Sequence, residues 1–460
     1  MTTSSDLFAP GGLTRYGDAL RRRTASATDV VGELLQNLAR VDPRSNAFTC
    51  IADEQARSAA RGIDELARGG VDLGPLMGVP VAFKDLYAVD GMPLTAGSRI
   101  DIADVAPREG PLVRRVKRAG GIVLGKTRTT EFAFGTYNLS HPTPWNPCDD
   151  AVHRMPGGSS SGSAVAQSAG LCPLTFGTDT GGSVRLPAAL CGIAGFKASA
   201  GLLPIDGIFP LSHTLDSPGW FASSASDLAL AFAAITDAPL CKARDIAGLR
   251  IGRPAQFFFD DLDPTVGKAI DAALERLAQA GCRIVPLNLP GVTSIDAVFG
   301  AFLAAELAAF LGRDRVEREI DNFDPLVRGR IAPGLELSAI QYITIGRQLR
   351  DLARAAHAAS DAVDVIVTPT SPLTPLPVQE FDTPERAARW TRDALRFTRP
   401  GNMFGMCGVS LPIGHLGGGL PVGLQLLAHH GRDAELLAIA MGLEGVLGHA
   451  PRVARAKRAA

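Results

Sequence analysis

Between Met155 and Phe196 the chain is crowded with Gly, Ser and Ala and carries few long charged side chains. Small side chains let one backbone approach another closely, and glycine reaches φ/ψ regions closed to other residues. Glycine also loses the most conformational entropy on folding, so a block this rich in it weakens a fold unless a site depends on it. So many glycines in one block point to a functional site framed by the rest of the chain.

The flanks supply that frame. Ser26 and Asp29 read as a capping box ahead of Val31, Leu34, Leu35 and Leu38, which recur at helical spacing and mark an amphipathic helix packed on a core. Gly74 to Pro80 reads as a turn, and Val81-Ala82-Phe83 as a short buried strand ending at Lys84-Asp85. Leu112 to Arg118 has a helical pattern, and Ile122-Val123-Leu124 reads as the next strand. Ile251 to Leu289 reads as strand, helix, strand, with Val266, Ile270, Ala273, Leu274 and Leu277 on the helix face and Pro286 at a sheet edge or strand end. Val363 to Thr370 is a further strand. Gly423 to Leu427 is a late one, followed by a helix from about Asp433. This alternation predicts an α/β fold with helices on both faces of a sheet. A length of 460 residues gives a soft prior of roughly three domains; the sheet-rich pattern favours one large domain instead.

Several classes are disfavoured. Lys and Arg number 46 against 47 Asp and Glu, and this net charge of −1 argues against a general grip on nucleic acid. No stretch reaches the ~18 apolar residues of a membrane span; the closest, Ala297 to Gly312, carries Glu306 and reads as a buried helix. The start, Met1 to Asp6, has no basic and then apolar signal region. Cysteines 50, 148, 172, 191, 241, 282 and 407 are odd in number and scattered without CxxC, which argues for a reducing compartment and against a disulfide frame or zinc site. The expectation is a cytoplasmic enzyme with no metal. The basic tail Arg452 to Ala460 reads as a solvated end.

Two short motifs match patterns whose mechanism they cannot serve. Gly120-Gly121-Ile122-Val123-Leu124-Gly125-Lys126-Thr127 fits the phosphate-loop pattern, but a helix precedes it and its loop positions are the strand itself. Gly158-Ser159-Ser160-Ser161-Gly162 fits the GxSxG elbow, but Asp149 to Pro156 before it is mostly polar and ends in proline, unlike a central strand.

What remains is Lys84 at a strand end, the loop Gly157 to Ser163, and Gly177-Thr178-Asp179-Thr180-Gly181-Gly182-Ser183-Val184-Arg185. These residues, with Leu186-Pro187-Ala188 and Gly195-Phe196-Lys197, resemble the amidase signature family. The resemblance extends to Val81 to Asp85, Gly125 to Thr127, Glu131 to Gly135, Asn146-Pro147 and Gly419 to Gln425, and so covers nearly the whole chain. It implies one domain over 1–460, with a central twisted mixed sheet covered by helices. An N-terminal helical segment at about 14–65 would pack on a signature core at about 70–220.

The resemblance also implies a Ser–cis-Ser–Lys triad, carried residue by residue onto Lys84, Ser159 and Ser183. The oxyanion hole would use backbone N–H groups of Thr180, Gly181, Gly182 and Ser183. The chemistry suits these residue types. A serine hydroxyl needs a base within hydrogen-bond reach. Lysine serves as one only when neutral, and burial against Val81, Ala82 and Phe83 favours the neutral form. Ser159 would relay a proton from Ser183 to Lys84 and return one to the leaving nitrogen. Ser160, Ser161 and Ser163 are expected to satisfy backbone groups locally, and Asp179 and Arg185 to form a charge pair bracing the nucleophile loop. By family position Ala133 and Phe134 line the acyl pocket, with Gly207 to Thr214 nearby; His213 is expected to be structural.

The implied activity is hydrolysis of a small-molecule amide through an acyl-enzyme, without cofactor, nucleic acid or membrane, in a chain whose relatives are often dimers. Two alternatives stand beside it. One is the A-type subunit of a glutamine-dependent tRNA amidotransferase, although Thr398 to Gly405 is more like the free-standing amidases. The other is a scaffold that has lost catalysis, against which an intact Lys84, Ser159 and Ser183 argue.

Overall fold

The computed structural model describes residues 3–381, 383–416 and 419–449, so the basic tail 452–460 lies outside the described residues. Short apolar, β-branched and aromatic runs bounded by turns make its strands. These are β1 (Phe48–Ile51), β2 (Pro80–Lys84), β3 (Ile122–Thr127), β4 (Leu174–Asp179), β5 (Ala194–Lys197), β6 (Ser217–Ala222), β7 (Arg250–Pro254), β8 (Arg283–Leu287), β9 (Val365–Pro369), β10 (Cys407–Leu416) and β11 (Leu420–Ala428). They join in one sheet, in the order β1-β3-β2-β4-β6-β5-β10-β11-β9-β7-β8. The neighbours β3-β2-β4 and β9-β7-β8 are parallel and the remaining pairs antiparallel, so the sheet is mixed, as expected. Helices cover it. β2, β3 and β4 are buried along their whole length, which explains their unbroken apolar runs. β8, with Pro286, forms one edge.

The N-terminal segment, expected to be helical over about 14–65, also holds one strand. Helices Gly12–Arg21, Ala27–Ser45 and Asp53–Arg68 form there, but Phe48–Ile51 pairs antiparallel with β3 as the other sheet edge. Asn46, left-handed at φ 51°, ends the preceding helix, and the apolar residues after it extend onto the sheet. The capping box is only half local. Ser26 accepts from the Asp29 N–H (3.2 Å), whereas the helix's first amides, Ala27 and Thr28, donate to Asp64 on the next helix (2.7 and 3.0 Å). A distant carboxylate thus caps the first amides of this helix.

The core around the parallel strands is aromatic. Phe83 stacks on Phe176 with ring centroids 4.7 Å apart, and Phe196 lies 4.8 Å from Trp220. Each such ring contributes on the order of 2 kcal/mol by leaving water. The helix Ser161–Ser168 packs tightly enough that a Cβ on Gly162 would lie 2.3 Å from the Ala47 carbonyl oxygen. That close approach is what the small residues permit. Among the described residues no helix is long and apolar enough to cross a membrane.

Candidate active site

β2 and β4 run side by side with Phe83 opposite Phe176, so Lys84 and Thr178 emerge at the same carboxyl edge of the sheet, where open α/β folds gather their ligands. The Lys84 side chain is fully buried. Its Nζ donates to Ser159 Oγ (2.6 Å) and to Thr178 Oγ1 (2.8 Å). Both partners are hydroxyls, so no carboxylate neutralises the amine directly. Burial drives its pKa down to about 7, against the opposing pull of Asp216 and Asp179.

The Gly158–Ser159 peptide bond is cis. Of the three serines expected to satisfy backbone groups locally, two do bond backbone carbonyls, but on β4 and not nearby in sequence: Ser160 Oγ donates to the Thr178 carbonyl (3.3 Å) and Ser163 Oγ to the Phe176 carbonyl (2.9 Å). The Ser160 N–H donates to the Ser183 carbonyl (3.3 Å), which ties this loop to the next one. Among the described residues no hydrogen bond joins the Ser159 and Ser183 hydroxyls, so the chain of contacts runs from Lys84 to Ser159 and stops there.

Ser183 is carried by a loop braced from beneath. The Asp179 carboxylate accepts from the backbone N–H groups of Gly182 (2.8 Å), Val184 (3.1 Å) and Arg185 (3.2 Å), and from Arg185 Nη2 (2.8 Å) and Asn402 Nδ2 (2.9 Å). Burial alone would raise its pKa; the Arg185 guanidinium beside it holds it well below the usual carboxylate range. Arg185 in turn donates from Nη1 to Gln425 (2.7 Å) and from Nη2 to Asn402. The expected charge pair is therefore present and fully buried, and it is anchored on residues more than two hundred positions away.

One expected donor is otherwise engaged. The Gly182 N–H is taken by Asp179, which leaves Thr180, Gly181 and Ser183 with the loop's uncommitted N–H groups among the described residues. Gly182 itself has φ +128°, and a Cβ there would lie 2.0 Å from Thr398 Oγ1. Its role is to shape the turn rather than to donate. Thr180 Oγ1 donates to Asp216 (2.5 Å), whose pKa burial raises to about 6.

Ser183, Thr180 and Gly181 form one wall of a cavity of about 350 Å³, and Ala133 and Phe134 form another. Phe132 and Ala133 both have positive φ (51° and 58°). The Phe132 ring stacks on Phe209 (5.4 Å) and meets Phe323 edge-on (5.6 Å), which fixes this turn. Leu211 brings the segment Gly207 to Thr214 to the cavity as expected. His213 is exposed with its ring edge-on to Phe310, and it does not line the cavity. The rest of the wall was not foreseen. Phe299, Arg330 and Arg399 come from the helices Ile295–Leu311, Pro325–Glu336 and Arg399–Met403, and Leu395 from the turn after Pro384–Ala394; of these only Arg399 lies in a segment the sequence had singled out, Thr398 to Gly405.

The two rejected motifs fall as argued. Lys126 is buried in β3, paired with Asp85 (2.7 Å) and donating to the Pro93 carbonyl (2.9 Å), so it cannot reach a phosphate. The GxSxG serine, Ser160, is fully buried and follows a loop, not a strand. All seven cysteines are unpaired.

Comparison with known proteins places this arrangement. The model of the family described as Amidase matches residues 29–437. The chain is 40% identical to the 2-amino-5-chloromuconic acid deaminase of Comamonas testosteroni, over 95% of this chain and 96% of that one. It is 35% identical to the A-type subunit of the glutamyl-tRNA(Gln) amidotransferase of Chloroflexus aggregans, over 92% and 93%. A solved structure described as an amidase superposes with a TM-score of 0.86 at 29% identity, covering 95% of this chain and all of that one. The chain belongs to the Amidase family, and so to the hydrolases that act on amide C–N bonds.

Proposed function

We propose that this protein hydrolyses a small amide through an acyl-enzyme on Ser183. The observation that carries the reading is the buried Lys84 amine, 2.6 Å from the Ser159 hydroxyl and with a pKa of about 7, in a fold whose Ser183 lines a cavity. Neutral Lys84 draws the Ser159 proton as Ser159 draws that of Ser183, and Ser183 Oγ attacks the carbonyl carbon. This relay requires the Ser183 hydroxyl to come within hydrogen-bond reach of Ser159 Oγ. The N–H groups of Gly181 and Ser183, with that of Thr180, receive the developing oxyanion. The proton then returns through Ser159 to the leaving nitrogen, the C–N bond breaks, and water releases the carboxylic acid from Ser183.

The apolar walls suit a small or aromatic acyl group. The whole chain acts as one unit, because the brace under Ser183 reaches Asn402 and Gln425. Seven unpaired cysteines agree with a cytoplasmic setting. A second reading is favoured by the amidotransferase relative: an A-type subunit that releases ammonia from glutamine for a partner. The deaminase relative suggests a third leaving group, the nitrogen of an unsaturated amino acid.

The test is ammonia release from a panel of amides by the purified chain alone. Ser183→Ala and Lys84→Ala should each abolish it while the circular dichroism spectrum is kept. Near-normal rates in either variant refute the mechanism. Glutaminase activity seen only with an added partner protein would favour the second reading.

A further inference from the structure

The relay makes no use of a charge asymmetry in the cavity above Ser183. The walls hold two guanidinium groups, those of Arg330 and Arg399, and among the described residues no Asp or Glu lines the cavity. Arg330, on the helix Pro325–Glu336, donates from Nη1 to the Phe134 carbonyl. Its Nη2 is buried and has no hydrogen-bond partner. Burial pushes its pKa down to about 10, which leaves it charged at neutral pH. The nearby carboxylate is that of Asp324, and its oxygens are already taken up by the backbone N–H groups of Leu139, Ser140 and Leu326. Arg399 gives Nη1 to Asp296 (2.6 Å) and lies over the Phe299 ring (5.2 Å), while its Nε is buried and unpartnered. Two donors of permanently charged groups thus stand buried without acceptors beside one cavity. Buried donors are paired as a rule, and an exception needs an explanation; beside a cavity, a bound acceptor supplies one. A guanidinium fork matches a carboxylate in shape and charge.

We propose that Arg330, with Arg399 beside it, binds a carboxylate on the acyl portion of the substrate, so that the site takes monoamides of small dicarboxylic acids in preference to neutral amides. This rests on the amidase reading above, in which Ser183 attacks the amide carbon. A neutral amide would leave the Arg330 donor unsatisfied, and a cationic one would be repelled by both guanidinium groups.

The experiment compares pairs that differ in charge and little in shape: succinamic acid with succinamide, glutaramic acid with glutaramide, adipamic acid with adipamide. Wild-type kcat/KM should favour the acid by about 10²-fold for at least one chain length. Arg330→Gln should collapse that ratio to near one, and Arg330→Lys should restore part of it. In parallel, calorimetry on Ser183→Ala should show glutarate or another of these diacids binding at least tenfold more tightly than the matching diamide. A wild-type ratio near one for every pair, or a ratio unchanged by Arg330→Gln, overturns the proposal. Should no amide of either kind be turned over, the amidase reading fails by itself, and the calorimetric preference still decides this one. If Arg330→Gln does not fold, Arg399→Gln and the wild-type ratio decide it.

Discussion

Burying Lys84 should set activity against stability, and the two can be separated by pH. The amine titrates at about 7 in the folded protein, against about 10.4 in an unfolded chain. Below about pH 7 both states hold the proton, and the folded state bears the full cost of a buried cation. Between about 7 and 10 the unfolded chain binds a proton that the folded one does not, so this group makes stability rise with pH by about 1.4 kcal/mol per unit. Over the whole window that amounts to about 5 kcal/mol. Lys84→Met removes this cost and fills a similar volume, but it leaves the Ser159 and Thr178 hydroxyls unpartnered, which costs roughly 1–3 kcal/mol each. The expected result is a variant at least as stable as wild type near pH 6.5 that loses its relative advantage as pH rises towards 10. Denaturant midpoints measured across that range read it directly. Wild-type kcat/KM should fall about tenfold per pH unit below 7 and level off above it. The variant should lose at least about 10⁴-fold in kcat. An acid limb centred near pH 10, or a stability difference that does not change with pH, would show that Lys84 is not the neutral base described.

Two further substitutions probe the loop that carries Ser183. Arg185→Met strands the fully buried Asp179 carboxylate and should cost about 3–5 kcal/mol by denaturant titration; a midpoint equal to wild type would mean that the pair is not the brace. Gly182→Ala combines a left-handed φ with a Cβ 2.0 Å from Thr398 Oγ1, and should lower kcat/KM by at least about 10²-fold in the ammonia assay. Turnover within twofold of wild type would show that the turn tolerates a side chain.

The parallel strands were legible because residues buried on both faces leave unbroken apolar runs, as in Val81-Ala82-Phe83 and Ile122-Val123-Leu124. Lys84 and Ser159 lie 75 positions apart in sequence, and only the family motifs around them, not any periodicity, pointed to their contact. β1 was hidden because Phe48–Ile51 is short and sits between two strong helical patterns. Asp64 as a helix cap, Asp216 under Thr180, and Asn402 and Gln425 under Arg185 are long-range partners with no local signature. Arg330 carries no local signal, and Arg399 lies in Thr398 to Gly405 with nothing to mark its role, until the fold brings both to one cavity. The engagement of the Gly182 N–H has the same origin: the family motif implies the loop, but the Asp179 side chain decides which amide stays free.

The brace beneath the nucleophile loop also bears on how such a gene can be cut and rearranged. A fragment ending before position 402 would encode the amine and both hydroxyls, yet the Arg185 fork would lose its grips on Asn402 and Gln425 and keep only Asp179. Two pieces expressed separately would have to recover that clasp in trans before either could cut a bond, which ties the two ends of the reading frame to a shared inheritance.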